Sequence, residues 1–189
     1  YIRRNGEWED LVSYDLQTKD EKILIHGEGF ELTVPAFAQG VQTYDWFGDS
    51  QRIAFLRIHG PHSEICLLEL ASGEITALQT PKFTSFDSIS VSPNSGIISA
   101  IACGPTCLTQ VVIIDEQEMQ SIFQLGESLP DEELISKPQE LSWETVNGST
   151  VFGIFYPPTN PECAWTGLPP AFVHIHGGAT GKTDLRYNP

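Results

Sequence analysis

The chain has 189 residues, of which 40% are hydrophobic and 19% are charged, so its composition is that of a globular protein. The length suffices for one domain or for two small ones. The 25 acidic residues outnumber the 10 basic ones and give a formal net charge of −15. This charge opposes binding to nucleic acid and to anionic membrane surfaces, and it favours solubility.

Neither a membrane span nor a signal peptide is visible in the sequence. No apolar run reaches the length of a span, and residues 1–4 (Tyr-Ile-Arg-Arg) lack a starting Met and an apolar signal-like centre. We therefore expect that the chain is a piece of a longer protein.

The four cysteines lack the spacing of a disulfide framework or of a zinc site. Cys103 and Cys107 lie close together around Pro105, which would suit a metal pair or a loop disulfide, but no second pair completes four ligands. We expect reduced, partly buried thiols, no metal or other cofactor, and a cytoplasmic protein.

From the start to about Leu125 the sequence has the pattern of an all-β protein. Short β-type runs are divided by Gly, Pro, Asn, Asp and Ser, and helical periodicity is absent. A unit recurs about every fifty residues, within the range of propeller blades: an apolar strand with an acidic residue near its end, a polar turn and another strand. The strands that begin the three units are Leu11–Leu16, Ile65–Leu70 and Val111–Asp115.

A second element repeats upstream of the second and third units. Trp46–Phe55 aligns with Val91–Ala100, and each stretch has an apolar start, a tight polar turn and a strand. Two features in the same register predict the blades of a β-propeller, in which neighbouring blades bury each other's faces. Two full blades and part of a third are visible, so we expect the missing blades before Tyr1.

The character of the sequence changes after the propeller-like part. Residues 128–135 begin with Ser128, a candidate N-cap, and continue with a Pro and acidic residues, so they predict a short helix or a linker that ends before Lys137-Pro138. The predicted division is into the C-terminal blades of a propeller over 1–127, a linker over 128–139 and a second domain over 140–189.

The second domain begins with two strand-like runs, 140–145 and 150–156, which Asn147-Gly148 joins as a hairpin turn. A loop rich in Pro, Asn and Gly then leads to the apolar run Ala171–Ile175, for which we predict a buried strand. This strand would run directly into His176-Gly177-Gly178.

Two chemistries use a strand that runs into a glycine turn. In α/β-hydrolases a His-Gly-Gly loop follows the third strand, and an amide binds the oxygen that becomes negative during acyl transfer. In a P-loop, G-x-x-x-x-G-K-[ST], backbone amides bind phosphates. Gly181-Lys182-Thr183 matches the end of that pattern, but its first Gly would fall at His176 and no helix-like stretch follows. The preceding hairpin favours the hydrolase interpretation over a P-loop or an ordinary turn.

Several features together carry a resemblance to a known family. They are the propeller repeats, Ile135–Leu141, the Asn147-Gly148 hairpin, Tyr156-Pro157-Pro158 and His174–Gly178. The chain resembles the prolyl oligopeptidase family, and most of all its acylaminoacyl-peptidase and dipeptidyl-aminopeptidase-like branch. Members of that branch commonly have His-Gly-Gly-Pro-Thr, and this sequence has Ala179 in place of the Pro.

The resemblance implies a serine peptidase that takes short peptides through or beside a propeller that excludes folded proteins. A Ser, activated by a His that an Asp orients, would attack the scissile carbonyl. The part of this machinery that the resemblance places here is the oxyanion loop, with the amide of Gly178 or Gly177 as donor and His176 as structural support. No G-x-S-x-G occurs, so the triad would follow Pro189 and the chain alone would be inactive.

The sequence-based fold class is therefore mainly β: a partial β-propeller followed by the first strands of an α/β-hydrolase domain. Two other functions stay open, a non-catalytic propeller interaction module and a P-loop nucleotide binder. For the peptidase we expect short peptide substrates and neither nucleic acid nor membrane as a partner. The sequence leaves oligomerisation and the preferred N-terminal residue open.

Overall fold

Short antiparallel strands form nearly all of the regular structure. The structure is a computed structural model, and it describes residues 1–34, 39–115, 118–164, 166–178 and 181–187. Within these ranges four antiparallel sheets follow one another along the chain. Short turns join the paired strands, so each strand lies beside its neighbours in sequence.

The first sheet has three strands, and the second and third have four each. The first sheet contains β1 Ile2–Asn5, β2 Trp8–Tyr14 and β3 Glu21–His26. The second sheet contains β4 Tyr44–Trp46, β5 Arg52–His59, β6 His62–Glu69 and β7 Ile75–Ala77. The third sheet contains β8 Ser85–Val91, β9 Ile98–Gly104, β10 Cys107–Asp115 and β11 Glu118–Gln124. The fourth sheet is a hairpin of β12 Gln139–Glu144 and β13 Thr150–Phe155.

Both sequence repeats coincide with equivalent strands in successive sheets. The runs at 11–16, 65–70 and 111–115 fall largely on β2, β6 and β10, each of which is the strand before the last in its sheet. The second repeat covers the turn from β4 to β5 and the turn from β8 to β9. The predictions of a mainly β chain and of two full blade-like sheets with part of a third are confirmed.

The second sheet is buried on both faces, because the first and third sheets pack on opposite sides of it. On β5, Ile53 and Phe55 contact the first sheet, whereas Ala54 and Leu56 contact the third. All four side chains are at most 1% exposed. This burial explains why β5 has consecutive apolar residues, where a strand with one solvated face would alternate.

Each of the two interfaces has its own apolar core. The core between the first and second sheets contains Leu11, Ile25, Leu32, Ile53, Phe55, Cys66 and Leu68. The core between the second and third sheets contains Phe47, Ala54, Leu56, Ile58, Ile65, Phe86, Ile89, Val91, Ile98, Ala100, Ala102, Val112 and Ile114. Together the cores join the three sheets as adjoining blades of a propeller-like stack.

The second and third sheets also meet through their first strands and the turns that follow. Asp45 of β4 accepts hydrogen bonds from the Val91 amide at 2.7 Å and from Ser90 Oγ at 3.2 Å. In the turn after β4, a Cβ on Gly48 would lie 1.8 Å from the carbonyl oxygen of Pro93. Position 48 therefore requires glycine, because the neighbouring turn occupies the space of any side chain.

The predicted hairpin is confirmed, but the linker contains less helix than the sequence predicts. Gly148 has a φ of +78° in the turn between β12 and β13, as expected for Asn-Gly. In the linker, a single 3-10 turn covers Glu132–Leu134, and its N-cap residue is Asp131 rather than Ser128. The turn buries none of its residues, so it lacks the packed apolar face that extends most helices.

The buried strand predicted at Ala171–Ile175 is not formed. Residues 171–178 have no strand assignment, and Phe172, Val173 and Ile175 are 91%, 79% and 81% exposed. A strand needs a neighbour to satisfy its backbone, and β12 and β13 pair only with each other within the described residues. The third strand of an α/β-hydrolase sheet is therefore not shown by the structure.

Asp10 of β2 is a carboxylate that the first sheet buries completely. It faces Arg3 on β1 and His26 on β3. Its oxygens lie 2.6 Å from His26 Nδ1 and 2.9 Å from Asn5 Nδ2, which donates a hydrogen bond. The hydrogen bond with His26 lowers the pKa of Asp10, with a smaller contribution from Asn5, and together they outweigh the opposite effect of burial.

We predict that Leu56→Ala lowers the free energy of unfolding of the full-length protein by about 2–5 kcal/mol, because it leaves a cavity between the second and third sheets. Leu16→Ala, at a leucine that is 85% exposed, serves as the control and should have little effect. Urea unfolding curves measure both. Equal, small effects would contradict the burial of β5 on both faces.

A second prediction concerns pH. Because the pKa of Asp10 is lower in the folded state than its ordinary 3.8, its carboxylate stabilises the fold above that pH, and this stabilisation is lost as the pH falls through the folded-state pKa. Asp10→Asn should therefore destabilise the protein at neutral pH, and the difference from the parent should shrink in acid. Denaturant unfolding across the acidic range measures this, with exposed Asp20→Asn as the control; a difference that grows in acid would contradict it.

Candidate functional site

The loop His176–Gly178 is exposed and open. Gly178 has a φ of +75°, in the left-handed region that favours glycine. In the described part of the chain, no heavy atom lies within 4 Å of a Cβ built on Gly177 or on Gly178. The space beside both residues is therefore free for an incoming group, as an oxyanion loop requires.

His176, predicted to support the loop, lies within reach of its backbone. Its Nδ1 is 3.5 Å from the carbonyl oxygen of Gly177, which is long for a hydrogen bond. The His176 side chain is exposed, so this contact alone gives weak support. The supporting role of His176 and the donor roles of Gly177 and Gly178 stay predictions.

Beyond the loop the chain folds back onto it. A Cβ on Gly181 would lie only 2.3 Å from the carbonyl oxygen of Gly177 and 3.4 Å from Nδ1 of His176. Glycine at 181 thus permits this close approach. Ala179, which stands where the similar family has Pro, lies outside the described residues.

Residues 181–187, which we call the strap, run from the loop to the blade-like sheets. Lys182 Nζ donates to Glu31 Oε2 at 2.6 Å. Further along, Leu185 is only 5% exposed, and the Tyr187 amide donates to the carbonyl oxygen of Gly104 at 2.8 Å. Because Gly104 ends β9, the strap is attached to the third sheet.

Arg186 makes the densest polar contact of the strap. Its NH1 and NH2 groups donate to the two carboxylate oxygens of Asp87 at 3.0 and 2.7 Å, and Nε donates to both oxygens of Asp184 at 2.9 and 2.7 Å. NH2 also contacts Asp184. The hydrogen bonds with Asp184, and to a smaller extent those with Asp87, raise the pKa of Arg186 above its ordinary, already high value. The guanidinium is therefore a permanent cation held between two carboxylates.

Sequence reasoning missed this cluster. Asp87 lies on β8, and 99 positions separate it from Arg186, so no local pattern links them. The sequence contains one indication of the cluster: Asp184 and Arg186 lie two residues apart in the strap. That spacing places both side chains within reach of each other but does not reveal the partner on β8.

A second contact joins the second sheet to the hairpin. Nε2 of His62, at the start of β6, lies 2.7 Å from Oε1 of Glu140 on β12. The ring of His59 stacks on that of His62, with centroids 5.7 Å apart. The hairpin is therefore connected to the end of the second sheet.

The two buried cysteines do not supply a nucleophile. All four are free thiols, and Cys66 and Cys103 are buried. Burial raises the pKa of Cys66 to about 11 and that of Cys103 to about 12. Thiols with such pKa values are protonated at neutral pH and unreactive.

Other types of site receive no support from the described residues. Among them, no group of three or more His, Cys, Asp or Glu side chains could hold a metal ion, and no helix has the length and apolarity to cross a membrane. The long helix that a P-loop would open is absent from 181–187, where Lys182 pairs with Glu31.

Comparison with solved structures shows the fold. The chain is similar to a puromycin-hydrolyzing peptidase from Mycobacterium tuberculosis, with a TM-score of 0.84 and 24% identity over 95% of this chain and 28% of that chain. It has the fold of that part of the peptidase. A Ser-to-Ala mutant of puromycin hydrolase complexed with PGG gives a TM-score of 0.83 and 22% identity over 95% of this chain and 27% of that chain.

A more distant likeness is to a putative TolB from Agrobacterium tumefaciens, with a TM-score of 0.51 and 17% identity over 84% of this chain and 54% of that chain. No family model matches the chain, and no curated protein matches it. The chain spans little more than a quarter of the length of the two hydrolase structures.

We predict that Gly181→Ala rearranges the loop, because its Cβ would lie 2.3 Å from the backbone oxygen of Gly177. Gly177→Ala is the control, since its Cβ meets nothing within 4 Å in the described structure. Hydrogen exchange of peptides covering 174–183 should rise clearly in the first variant and little in the second. Similar exchange in both would show that Gly181 does not pack on the loop.

Proposed function

We propose that the chain is part of a serine-type oligopeptidase, contributing the last propeller blades and the oxyanion loop of an α/β-hydrolase domain. The observation that carries the proposal is the open His176–Gly178 loop, with Gly178 at a φ of +75°. This loop belongs to a chain that shares its fold with puromycin-hydrolyzing peptidases over 95% of its residues.

In the proposed reaction a serine hydroxyl attacks the carbonyl carbon of the scissile bond. The carbonyl oxygen gains a negative charge, and the amide of Gly178 or Gly177 donates a hydrogen bond to it. The serine proton passes to a histidine and then to the leaving amine, which departs as the acyl-enzyme forms; water then releases the acyl group. Loss of one such donor costs on the order of 3 kcal/mol of transition-state stabilisation.

The serine, histidine and aspartate of this reaction are assigned to parts of the protein outside these residues. In α/β-hydrolases these three residues follow the oxyanion strand in the order Ser, Asp, His. One matched hydrolase carries a Ser-to-Ala substitution in its complex, a change that would remove a nucleophilic hydroxyl. We propose short peptides as substrates, with the acylaminoacyl and dipeptidyl types as the finer possibilities, and the cytoplasm as the location.

The division of the chain belongs to the same proposal. Blades over 1–127, a linker over 128–139 and hydrolase residues over 140–189 agree with the end of the third sheet at Gln124 and the start of the hairpin at Gln139. The isolated chain would be inactive because it contains the loop without the nucleophile. A propeller interaction module without catalysis is the competing function that the following experiment separates.

We predict that a serine-reactive phosphonate labels the full-length protein and that Gly178→Ala lowers kcat/KM on a short peptide by about a hundredfold. Alanine keeps the amide donor, but its methyl group would occupy the space proposed for the substrate oxygen, and a φ of +75° is strained for alanine, which displaces the amide. Gly148→Ala is a matched control: Gly148 has a φ of +78°, and its Cβ also meets nothing within 4 Å. Both variants carry the same backbone strain, but Gly148→Ala should keep its activity. A folded full-length protein that the phosphonate does not label would exclude the peptidase and favour the interaction module.

A further inference from the structure

The loop receives little support from the residues that precede it. Residues 171–178 pair with no strand in the described structure and are exposed throughout. A donor that stabilises a transition state must nevertheless be held close to one position, since misplacement by 1 Å can cost about a hundredfold in rate. Among the described residues, the segment that approaches the loop backbone is the chain that follows it, where a Cβ on Gly181 would lie 2.3 Å from the carbonyl oxygen of Gly177.

The strap is the described segment that can supply this orientation. It begins at Gly181, against the backbone of Gly177, and reaches the third sheet at Arg186 and Tyr187. Its attachment combines a buried side chain, Leu185, with a backbone hydrogen bond from Tyr187 and the paired contacts of Arg186 with Asp87. One end of the strap thus contacts the loop and the other is fixed to β9 and β8.

The ion pairs of Lys182 and of Arg186 in the strap differ in geometry. Lys182 makes a single exposed contact with Glu31, a type that contributes little. Arg186 instead makes a bidentate pair with Asp87 and a second pair with Asp184. The side chain of Arg186 is 36% exposed, close to the 37% of Lys182, so the difference lies in the geometry of the contacts. Bidentate geometry fixes direction as well as distance, so the pair of Arg186 with Asp87 is the side-chain ion pair that orients the strap, beside the burial of Leu185 and the backbone hydrogen bond of Tyr187.

The contacts of the Arg186 guanidinium favour a positioning role over direct binding of a substrate carboxylate. All three guanidinium nitrogens of Arg186 face carboxylate oxygens of Asp87 or Asp184. A substrate carboxylate would have to displace one of them. We propose that Arg186, paired with Asp87 across the interface, is a positioning residue that holds the oxyanion loop against the third blade-like sheet.

This role rests on the proposed peptidase function, and a double-mutant cycle tests it in the full-length protein. Arg186→Gln should lower kcat about tenfold to a hundredfold through misplacement of the loop, with a smaller change in KM. Asp87→Asn should have a similar or smaller effect, because Arg186 keeps its contact with Asp184. The double variant should lose no more than Arg186→Gln alone, because Arg186→Gln already removes the contact that Asp87→Asn removes. Asp87→Asn leaves the strap sequence intact if Arg186→Gln folds poorly.

The control is Arg52→Gln, which removes an arginine of similar exposure that pairs with Asp49 within the second sheet. It should leave kcat unchanged. Hydrogen exchange provides a readout independent of activity: peptides covering 174–187 should exchange faster in Arg186→Gln and Asp87→Asn, with other peptides unchanged. In Arg186→Lys, the charge remains but the bidentate fork is lost, so kcat should recover only in part.

The outcomes distinguish the two proposals. If the parent is labelled by the phosphonate but Arg186→Gln and Asp87→Asn keep kcat within about twofold, the positioning role is wrong and the peptidase stands. Additive losses in the double variant would also overturn the role, since independent contacts add. If the parent is not labelled at all, the peptidase proposal fails and the positioning role fails with it.

Discussion

The burial of β5 on both faces is the constraint on which the rest of the structure depends. Its apolar side chains fill one core with the first sheet and another with the third. None of the three sheets could bury both of its faces alone, so each is stable only beside its neighbours. Because the strap ends on β8 and β9, the position of the proposed oxyanion loop depends on this stack as well.

Much of the blade-like part could be predicted from the sequence because its signals are local and repeated. The strand runs at 65–70 and 111–115, and the turns ahead of them, recur in register, so each copy supports the others. The Asn147-Gly148 turn was predictable for a different reason: its positive φ at Gly148 is a property of two adjacent residues. Short-range rules were sufficient in both cases.

The prediction failed where a structure depends on distant partners. The composition of Ala171–Ile175 is that of a buried strand, but composition does not provide the neighbouring strand that its backbone needs. The pairing of Asp87 with Arg186 was invisible for the same reason, although Arg186 is one of only ten basic residues in a chain with 25 acidic ones. The candidate loop itself was predictable by motif; the contacts that position it were not.

The close approach of Gly48 to Pro93 limits how this chain can vary. The two turns pack against each other at one end of adjoining sheets, so an inserted residue in either would push the sheets apart. The turn between β5 and β6, at the opposite end of the second sheet, contains Gly60, where a Cβ would meet nothing within 4 Å in the described structure. Length variation between related proteins should therefore be rare in the turns at 48 and 93, whereas a side chain at position 60 would find space.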